Sequence, residues 1–330
     1  MAVKRIVIAG CGSIGQRHAR LLSRRPDLLV ELCDSNESSL AETTRAIGDR
    51  PCHHDFDAML ATQPDILVIA TPHTLHADQA IAALRAEIHV LCEKPMSATL
   101  ADAERMLEAG SKCSVTLDIG FTLHFHPALR RLKDLIAGGA LGSLVHLSCR
   151  VGTYATLAAS RSMYQATLEG SLLLDYIHQP DLLYWLCGEA PAGVYMAGSL
   201  AGNLPVRSNP NVAELLLDYA SGMQASIHLN YVQAPQRHEY EAIGDKAYAV
   251  LDMETKTLRL GYREGNHETL ETFEADRDSV FEQEHAWFLE AVAGRREPES
   301  PPGRAIVSMR IVDAALLSWK ARERVAIKPC

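Results

Sequence analysis

The stretch RIVIAGCGSIGQRHAR near the amino terminus constrains the fold of this 330-residue chain more than any other feature. A short apolar run rich in β-branched residues precedes a segment with helical apolar spacing. Between them, Gly10, Gly12 and Gly15 have the G-x-G-x-x-G spacing, which allows a tight turn and close approach of the backbone to a pyrophosphate. We predict a strand, a turn and a helix, with Ser13 and Ile14 among the residues that hold phosphates at the helix amino end.

A second apolar run ends on Asp34, 19 residues after Gly15. An acid at this position accepts hydrogen bonds from an adenosine ribose, which supports a dinucleotide site. The alternative interpretation is a glycine turn in another kind of α/β unit. Asp34 is followed by Ser35 and Asn36 rather than by Arg or Lys, and a carboxylate repels a 2'-phosphate. NAD is therefore predicted as the cofactor in preference to NADP.

Strands and helices alternate through the first 121 residues. The predicted strands span 65–70, 89–94 and 114–121, and the predicted helices span 37–47, 55–62, 73–86 and 99–110. This alternation implies a doubly wound parallel sheet, in which ligands bind at the carboxyl ends of the strands. Lys94 and Pro95 follow one such strand, so Lys94 is a candidate for proton transfer or for holding a hydroxyl. The alternative is an exposed lysine at a strand–loop junction.

Beyond residue 121, strands follow strands without helices between them. Predicted strands span 144–152, 194–200, 212–220, 223–232, 237–244, 247–254 and 257–264, and predicted helices span 126–139, 279–294 and 302–322. This pattern predicts an α+β domain with a large, mostly antiparallel sheet. We therefore expect an NAD(P)-binding Rossmann domain over 1–121 and a substrate-binding and oligomerisation domain over 122–330.

The apolar stretch EGSLLLDYIHQPDLLYWLCG (169–188) carries Asp175, His178 and Asp181 at steps of three. On one helix these side chains share a face. We expect that face to line a cleft, because buried acids without partners are costly and few other polar residues accompany them. The alternative is a half-buried structural histidine, with Asp181 as a hydrogen-bond acceptor near a helix restart at Pro180.

Composition excludes several classes of partner. The balance of 32 basic and 41 acidic residues gives a net charge of -9, so neither nucleic acid nor an anionic membrane surface is expected. The eight cysteines are scattered without a CxxC pair, which argues against zinc and disulfides and favours reduced thiols in the cytoplasm. No signal peptide or membrane span is predicted. His53, His54 and Asp55 are interpreted as a surface turn, and no metal is expected.

The motifs GCGSIGQRHAR, ATPHTLH and CEKPMS, in this order, resemble the Gfo/Idh/MocA family of NAD(P)-dependent oxidoreductases, which includes glucose-fructose oxidoreductase and inositol dehydrogenases. The likeness continues through 120–142 and 281–298. The resemblance implies that Lys94 lies near the nicotinamide and the reacting hydroxyl, with a cis peptide bond to the proline that follows it. It also implies a cofactor cleft, which we assign to Thr71, Pro72, His76, Glu93 and Lys94.

Two positions depart from the family pattern. His124 stands where many members have an arginine. The family commonly places the histidine of its second-domain motif four residues after the aspartate, whereas Asp175 and His178 are three apart. A one-residue change in spacing rotates a helical side chain by about a third of a turn.

Oxidation of a secondary alcohol needs a hydride acceptor and a proton acceptor. His178 is predicted as the acid/base, because the usual histidine pKa is about 6.5. Lys94 is predicted to polarise the substrate oxygen, and Asp175 to orient the substrate or the histidine. Further candidates to contact a polyol, each more commonly a packing or edge residue, are Tyr154, Tyr164, His228, Asn230 and Arg237.

The leading functional hypothesis is an NAD-dependent dehydrogenase for a sugar, cyclitol or related polyhydroxylated compound. A glycosidase that uses transient oxidation by bound NAD is one alternative, and a non-catalytic NAD-binding sensor is another. Retention of Lys94 together with His178 argues against the sensor. A homo-dimer or homo-tetramer is expected.

Overall fold

A computed structural model describes residues 3–159, 164–204 and 207–328 of the chain. The chain divides into two compact units. The first comprises Met1–Phe125 and Asp276–Ile306, and the second comprises His126–Ala275 and Val307–Cys330. Among the described residues, no helix combines the length and the apolar character that a membrane span requires.

The first unit is built on a parallel sheet. Its strands are β1 (Lys4–Ala9), β2 (Leu28–Cys33), β3 (Cys52–His53), β4 (Ile66–Ile69), β5 (His89–Glu93) and β6 (Leu117–Gly120). Its helices include α1 (Ser13–Leu22), α2 (Glu37–Ile47), α3 (Phe56–Leu60), α4 (His76–Arg85) and α5 (Leu100–Ser111), followed by a 3₁₀ turn, Thr122–Phe125. The strand order is β3-β2-β1-β4-β5-β6, and every neighbouring pair is parallel. The order reverses at β1, which confirms the predicted doubly wound fold.

The second unit is built on a larger sheet. Its strands are β7 (Leu144–Gly152), β8 (Gly193–Ser199), β9 (Val212–Asp218), β10 (Gln224–Asn230), β11 (Arg237–Gly244), β12 (Ala247–Asp252), β13 (Thr257–Tyr262), β14 (His267–Thr272) and β15 (Val325–Ala326). The order is β14-β13-β12-β11-β7-β10-β9-β8-β15, and in the described part of the chain each pair except β7/β10 is antiparallel. The predicted α+β domain with a mostly antiparallel sheet is therefore confirmed.

Helices accompany this sheet. They are α6 (Pro127–Ala137), α7 (Ala155–Ala159), α8 (Ser171–Asp175) and α9 (His178–Cys187), with a 3₁₀ turn at Tyr164–Ala166. Two long helices follow β14: α10 (Arg277–Val292) and α11 (Pro302–Ala321). Within the second unit, α6 packs against β12 and β13, and α9 packs against β7 and β10.

The position of α10 differs from the predicted domain division at residues 121 and 122. α10 belongs to the first unit, where Phe288 is buried in one cluster with Ile6 and Leu32 of the parallel sheet. Apolar burial stabilises this docking. The apolar residues of a helix near the carboxyl terminus do not reveal which sheet will cover them. A single domain boundary in the sequence therefore could not include the return of α10 to the first unit.

The prediction of one helix with Asp175, His178 and Asp181 on a shared face is wrong. α8 ends at Asp175 and α9 begins at His178, with Tyr176 outside helical geometry at φ -99° and ψ 29°. Pro180 explains the break, because proline has no N–H to donate to the carbonyl four residues earlier and its ring crowds that carbonyl. That carbonyl belongs to Tyr176. Pro180 itself is tolerated in the first turn of α9.

Candidate functional site

The glycine turn after β1 leaves no room for side chains at two positions. Gly10 has φ +90°, and a Cβ there would lie 2.5 Å from the carbonyl oxygen of Ala70. A Cβ on Gly15 would lie 1.7 Å from the carbonyl oxygen of Gly10. A Cβ on Gly12 would meet nothing within 4 Å. The turn is therefore closely packed at Gly10 and Gly15, whereas the space beside Gly12 is open.

The amino end of α1 is suited to an anion. Gly12 is its N-cap and supplies no side-chain cap, while Ser13 is exposed and Ile14 is half-buried. The first N–H groups of a helix have no intrahelical partners, and the helix dipole makes this end positive. The open glycine and these backbone donors fit the pyrophosphate of a dinucleotide.

Asp34 immediately follows β2 and is half-buried beside this turn. Its Oδ2 accepts the Cys11 N–H at 2.7 Å, and its Oδ1 accepts the Asn36 N–H at 2.8 Å. Each carboxylate oxygen retains further lone pairs for ribose hydroxyls. The residues present therefore fit an adenosine ribose next to the phosphate turn.

The turn after β4 contains Thr71, Pro72 and His76. Thr71 donates its hydroxyl to Gln79 at 2.7 Å, and Pro72 is exposed. The buried His76 ring has Nδ1 2.9 Å from the Pro95 carbonyl oxygen and Nε2 2.9 Å from the Thr71 carbonyl oxygen. Burial lowers the pKa of His76, and the two carbonyl contacts oppose that shift. His76 thus joins two strand-end turns, and its direct contact with cofactor stays a prediction.

The turn after β5 carries the predicted catalytic lysine. The Lys94–Pro95 peptide bond is cis, which confirms the prediction from the family resemblance. The backbone N–H of Lys94 donates to Oε2 of Glu93 at 3.2 Å, and Lys94 itself is half-buried. Glu93 is buried, so Lys94 is the part of this turn that is accessible to a ligand.

These turns follow neighbouring strands, because β2, β1, β4 and β5 are adjacent in the sheet. Their carboxyl ends meet at one edge on either side of the switch point at β1. Open parallel sheets bind ligands at such a crevice. The first unit therefore has the arrangement of a dinucleotide-binding domain, with the glycine turn, Asp34 and Lys94 on one edge.

In the second unit, Asp175 is held by a set of polar side chains. The hydroxyls of Tyr164 and Tyr231 both donate to its carboxylate, and Nε2 of Gln165 donates to Oδ2 at 3.1 Å. Burial raises the pKa of Tyr231, and the neighbouring Asp175 charge raises it further, so the tyrosine remains a donor. The structure brings together Asp175 and Tyr164, two of the residues singled out in the sequence.

His178 and Asp181 lie on α9. His178 is the first residue of this helix and is half-buried, whereas Asp181 is buried. The neighbouring Gln179 accepts the Tyr240 hydroxyl at 2.7 Å, which ties the start of α9 to β11. The position of His178 is thus set by the packing of α9 on the large sheet.

The remaining sequence candidates have other surroundings. His228 pairs with Glu214 at 2.7 Å, and Arg237 pairs with Glu239 at 2.5 Å. Oδ1 of Asn230 accepts the Val232 and Gln233 N–H groups and so organises the turn after β10. Tyr154 is half-buried, and its backbone N–H donates to the Gln233 carbonyl. Roles for these residues toward a substrate stay predictions.

Three other polar positions are accounted for by local contacts. Nε2 of His53 lies 2.8 Å from Glu31, and Asp55 caps α3 by accepting the Ala58 N–H. Nδ1 of His124 lies 3.1 Å from the Ser300 hydroxyl. Over the described ranges, no group of His, Cys, Asp and Glu side chains is arranged to hold a metal ion.

Some polar contacts within each unit were not predicted. His18 and His285 are buried and connect to Glu93, and Tyr231 binds Asp175. A histidine on the buried face of the glycine-turn helix, three residues after Gly15, is the one signal for His18 in the sequence. The partners of His285 and Tyr231 lie too far away along the chain for spacing to indicate them.

The fold and the strand-end turns define a two-unit protein of the dinucleotide-binding class. Residues 4–121 match the oxidoreductase family with an NAD-binding Rossmann fold, and residues 129–250 match the GFO/IDH/MocA C-terminal domain. The chain therefore belongs to the Gfo/Idh/MocA family of oxidoreductases. It is a dehydrogenase-type enzyme, and NAD is its cofactor.

Curated relatives include dehydrogenases and a catabolic protein. The rhizopine catabolism protein MocA of Rhizobium meliloti is 29% identical over 68% of this chain and 70% of that protein. The myo-inositol 2-dehydrogenase of Thermotoga maritima is 29% identical over 59% of this chain and 58% of that protein. The solved WlbA dehydrogenase of Bordetella pertussis, in complex with NADH and UDP-GlcNAcA, has a TM-score of 0.83 at 23% identity, with 100% of each chain covered. The similarity to the WlbA structure shows a shared fold.

Proposed function

We propose that this protein oxidises a secondary hydroxyl of a sugar, cyclitol or related polyhydroxylated compound, with NAD as the hydride acceptor. The observation that carries this proposal is the strand-end arrangement of the glycine turn, Asp34 and Lys94 in a chain of this family. Relatives named as inositol dehydrogenases support a polyol as the substrate class. NAD supplies the hydride-accepting ring, and the protein supplies orientation and proton transfer.

Lys94 is proposed to donate a hydrogen bond to the reacting oxygen. Its ammonium group stabilises negative charge as the hydroxyl loses its proton. His178 is proposed as the acid/base, because a neutral imidazole accepts a proton near physiological pH. The two residues thus divide polarisation and proton acceptance between them.

Asp175 is proposed to orient His178 rather than to bind the substrate directly. Its carboxylate already accepts hydrogen bonds from Tyr164, Tyr231 and Gln165. These contacts hold the end of α8 three residues before His178. Of the two roles suggested for Asp175 by the sequence, the contacts favour the orienting role.

The open face of the nine-stranded sheet is proposed to form a homo-dimer or homo-tetramer. Along β9, Ala213, Leu215 and Leu217 are buried, whereas Leu216 points away from the core and is 54% exposed. Tyr195 lies directly opposite Leu216 on β8 and is also exposed. Apolar side chains at neighbouring positions on an open sheet face favour contact with another copy. The cytoplasmic location stays a prediction.

A screen of sugars, cyclitols and sugar acids for NADH formation tests the proposed activity. We expect steady NADH formation with at least one compound, and a loss of about 100-fold or more in kcat for Lys94→Ala, the scale of a group that stabilises developing negative charge. Lys112→Ala is the matched control, because Lys112 is an exposed lysine of the same unit, paired with Glu108.

Other results would contradict the dehydrogenase assignment. Tight NAD binding without turnover of any compound would indicate the sensor. Cleavage of glycosides without net NADH formation would indicate a glycosidase that oxidises its substrate transiently. Equal activity in the Lys94 and Lys112 variants would remove Lys94 from the reaction.

A further inference from the structure

A buried chain of two histidines and a glutamate lies behind the turn that carries Lys94. His18 on α1 is 0% exposed, Glu93 at the end of β5 is 8% exposed, and His285 on α10 is 3% exposed. Nε2 of His18 lies 2.9 Å from Oε1 of Glu93, and its Nδ1 lies 2.7 Å from Nε2 of His285. Three elements of the first unit therefore meet through side chains that have no role in the chemistry proposed above.

The charge of Glu93 determines which ring nitrogen of His18 carries a proton. Burial raises the pKa of Glu93, but the hydrogen bond and charge of His18 and the charge of Lys94 outweigh burial, so the pKa lies below its usual value. The carboxylate accepts hydrogen bonds, and His18 must donate from Nε2. Burial keeps the pKa of His285 well below its usual value, with a further contribution from His18. His285 is therefore neutral, and one hydrogen bond joins its Nε2 to Nδ1 of His18.

Other titratable groups face Glu93 from the neighbouring elements. They are His18 on α1, His76 on α4, Lys94 in the adjoining turn, and Arg277 and Glu284 on α10. Burial and the Glu93 and Asp118 charges raise the pKa of Glu284 well above its usual value. Glu284 is 3% exposed, so it remains neutral and adds no second negative charge beside Glu93.

The second oxygen of Glu93 contacts the backbone of the lysine turn. Oε2 accepts the Lys94 N–H at 3.2 Å. On the far side of the cis peptide bond, the Pro95 carbonyl contacts the buried His76 ring at 2.9 Å. The turn is thus held on both sides of the Lys94–Pro95 bond, and the orientation of Glu93 depends on His18.

We propose that His18 and His285 are positioning residues, which act through the Glu93 carboxylate to fix the turn that presents Lys94. The inference rests on the proposed function, in which Lys94 contacts the reacting hydroxyl. A buried carboxylate without a hydrogen-bond donor is costly. Loss of His18 therefore makes Glu93 take up a proton or turn away. A neutral carboxyl group accepts the Lys94 N–H more weakly than a carboxylate does, and a carboxylate that has turned away does not accept it.

Paired substitutions separate this role from simple packing. His18→Leu and His285→Leu remove the ring nitrogens that make these contacts, whereas His18→Gln and His285→Gln each keep an amide nitrogen near the position of Nε2. His89→Gln is the matched control, because His89 lies at the opposite end of β5 and accepts the Thr116 N–H at 3.0 Å. If His18→Leu does not fold, the two His285 variants still decide the question.

In steady-state kinetics, His18→Leu is expected to lower kcat by about tenfold or more, the scale of a displaced catalytic group. The acid limb of the kcat/KM profile should move to higher pH. A donor keeps Glu93 ionised at low pH; without it, burial dominates, the pKa of Glu93 rises, and activity is lost earlier as the pH falls. His18→Gln should restore the limb toward that of the wild type.

Hydrogen–deuterium exchange of the protein without added NAD gives a readout independent of turnover. Peptides across residues 93–97 should exchange faster in both leucine variants than in the wild type, the glutamine variants or His89→Gln. Wild-type exchange and a wild-type acid limb in His18→Leu would overturn the proposal. If the wild type oxidises no compound, the proposed function fails, while the exchange comparison still supports or overturns the fixing of the turn.

Discussion

Asp34 lies beside the glycine turn with one carboxylate oxygen on the Cys11 amide and the other on the Asn36 amide. These backbone donors hold the negative charge where the ribose of a dinucleotide would bind. Ribose hydroxyls are favourable partners for this carboxylate, whereas a 2'-phosphate is repelled. At the scale of single residues, the Asp34 side chain thus favours binding of NAD over NADP.

Asp34→Ser is expected to weaken NAD binding and to relieve the repulsion of NADP. The ratio of the NADP and NAD dissociation constants should fall by about tenfold, equivalent to roughly 1.4 kcal/mol. Titration of both dinucleotides by calorimetry measures the ratio. Asp27→Ser is the control, because Asp27 is an acid just before the other end of β2 and is paired with Arg25. An unchanged ratio in Asp34→Ser would place the coenzyme preference elsewhere.

At the scale of elements, the break between α8 and α9 places Asp175 and His178 on different helices. The carboxylate at the end of α8 is held by Tyr231, which follows β10, and by Tyr164. α9 is held separately, through Gln179 and Tyr240 of β11. The relative position of Asp175 and His178 thus depends on the large sheet, rather than on the pitch of one helix.

A double-mutant cycle with Asp175→Asn and Tyr231→Phe tests this arrangement. The coupling free energy of unfolding should be about 1–2 kcal/mol, because the hydrogen bond is partly buried and charged. Denaturant unfolding of the four proteins measures it. The cycle of Tyr248→Phe with Glu268→Gln is the control, because that tyrosine–carboxylate pair is exposed and should couple by less than about 0.5 kcal/mol. Equal coupling free energies in both cycles would contradict a stabilising interaction between Asp175 and Tyr231 that exceeds that of an exposed pair.

At the scale of the whole molecule, the exposed face of the large sheet is the proposed contact between copies. Leu216→Lys places a charge on that face and should lower the mass measured by light scattering to that of the monomer or of a smaller assembly. Leu317→Lys is the matched control, because Leu317 is 52% exposed but lies on α11. A wild-type mass for Leu216→Lys would remove this face from the interface.

Where local pattern decided the structure, prediction from the sequence was accurate. The helix predicted at 37–47 and the strands predicted at 144–152 and 237–244 coincide with α2, β7 and β11. The glycine turn was predictable because part of its constraint is local: a Cβ on Gly15 would meet the Gly10 carbonyl oxygen within the turn itself. β14 was missed because it is an edge strand whose polar residues HETLET give no apolar alternation.

Tertiary structure alone decided which distant side chains meet. His18 and His285 are separated by 267 positions, and the apolar residues of α10 do not indicate which sheet will cover them. The Asp175 partners come from a 3₁₀ turn and the end of β10, so spacing within 169–188 could not indicate them. Hydrogen bonds between buried groups form only where packing brings distant segments of the chain together. The sequence therefore predicted the cofactor turns, while the contacts behind Lys94 and around Asp175 emerged with the packed fold.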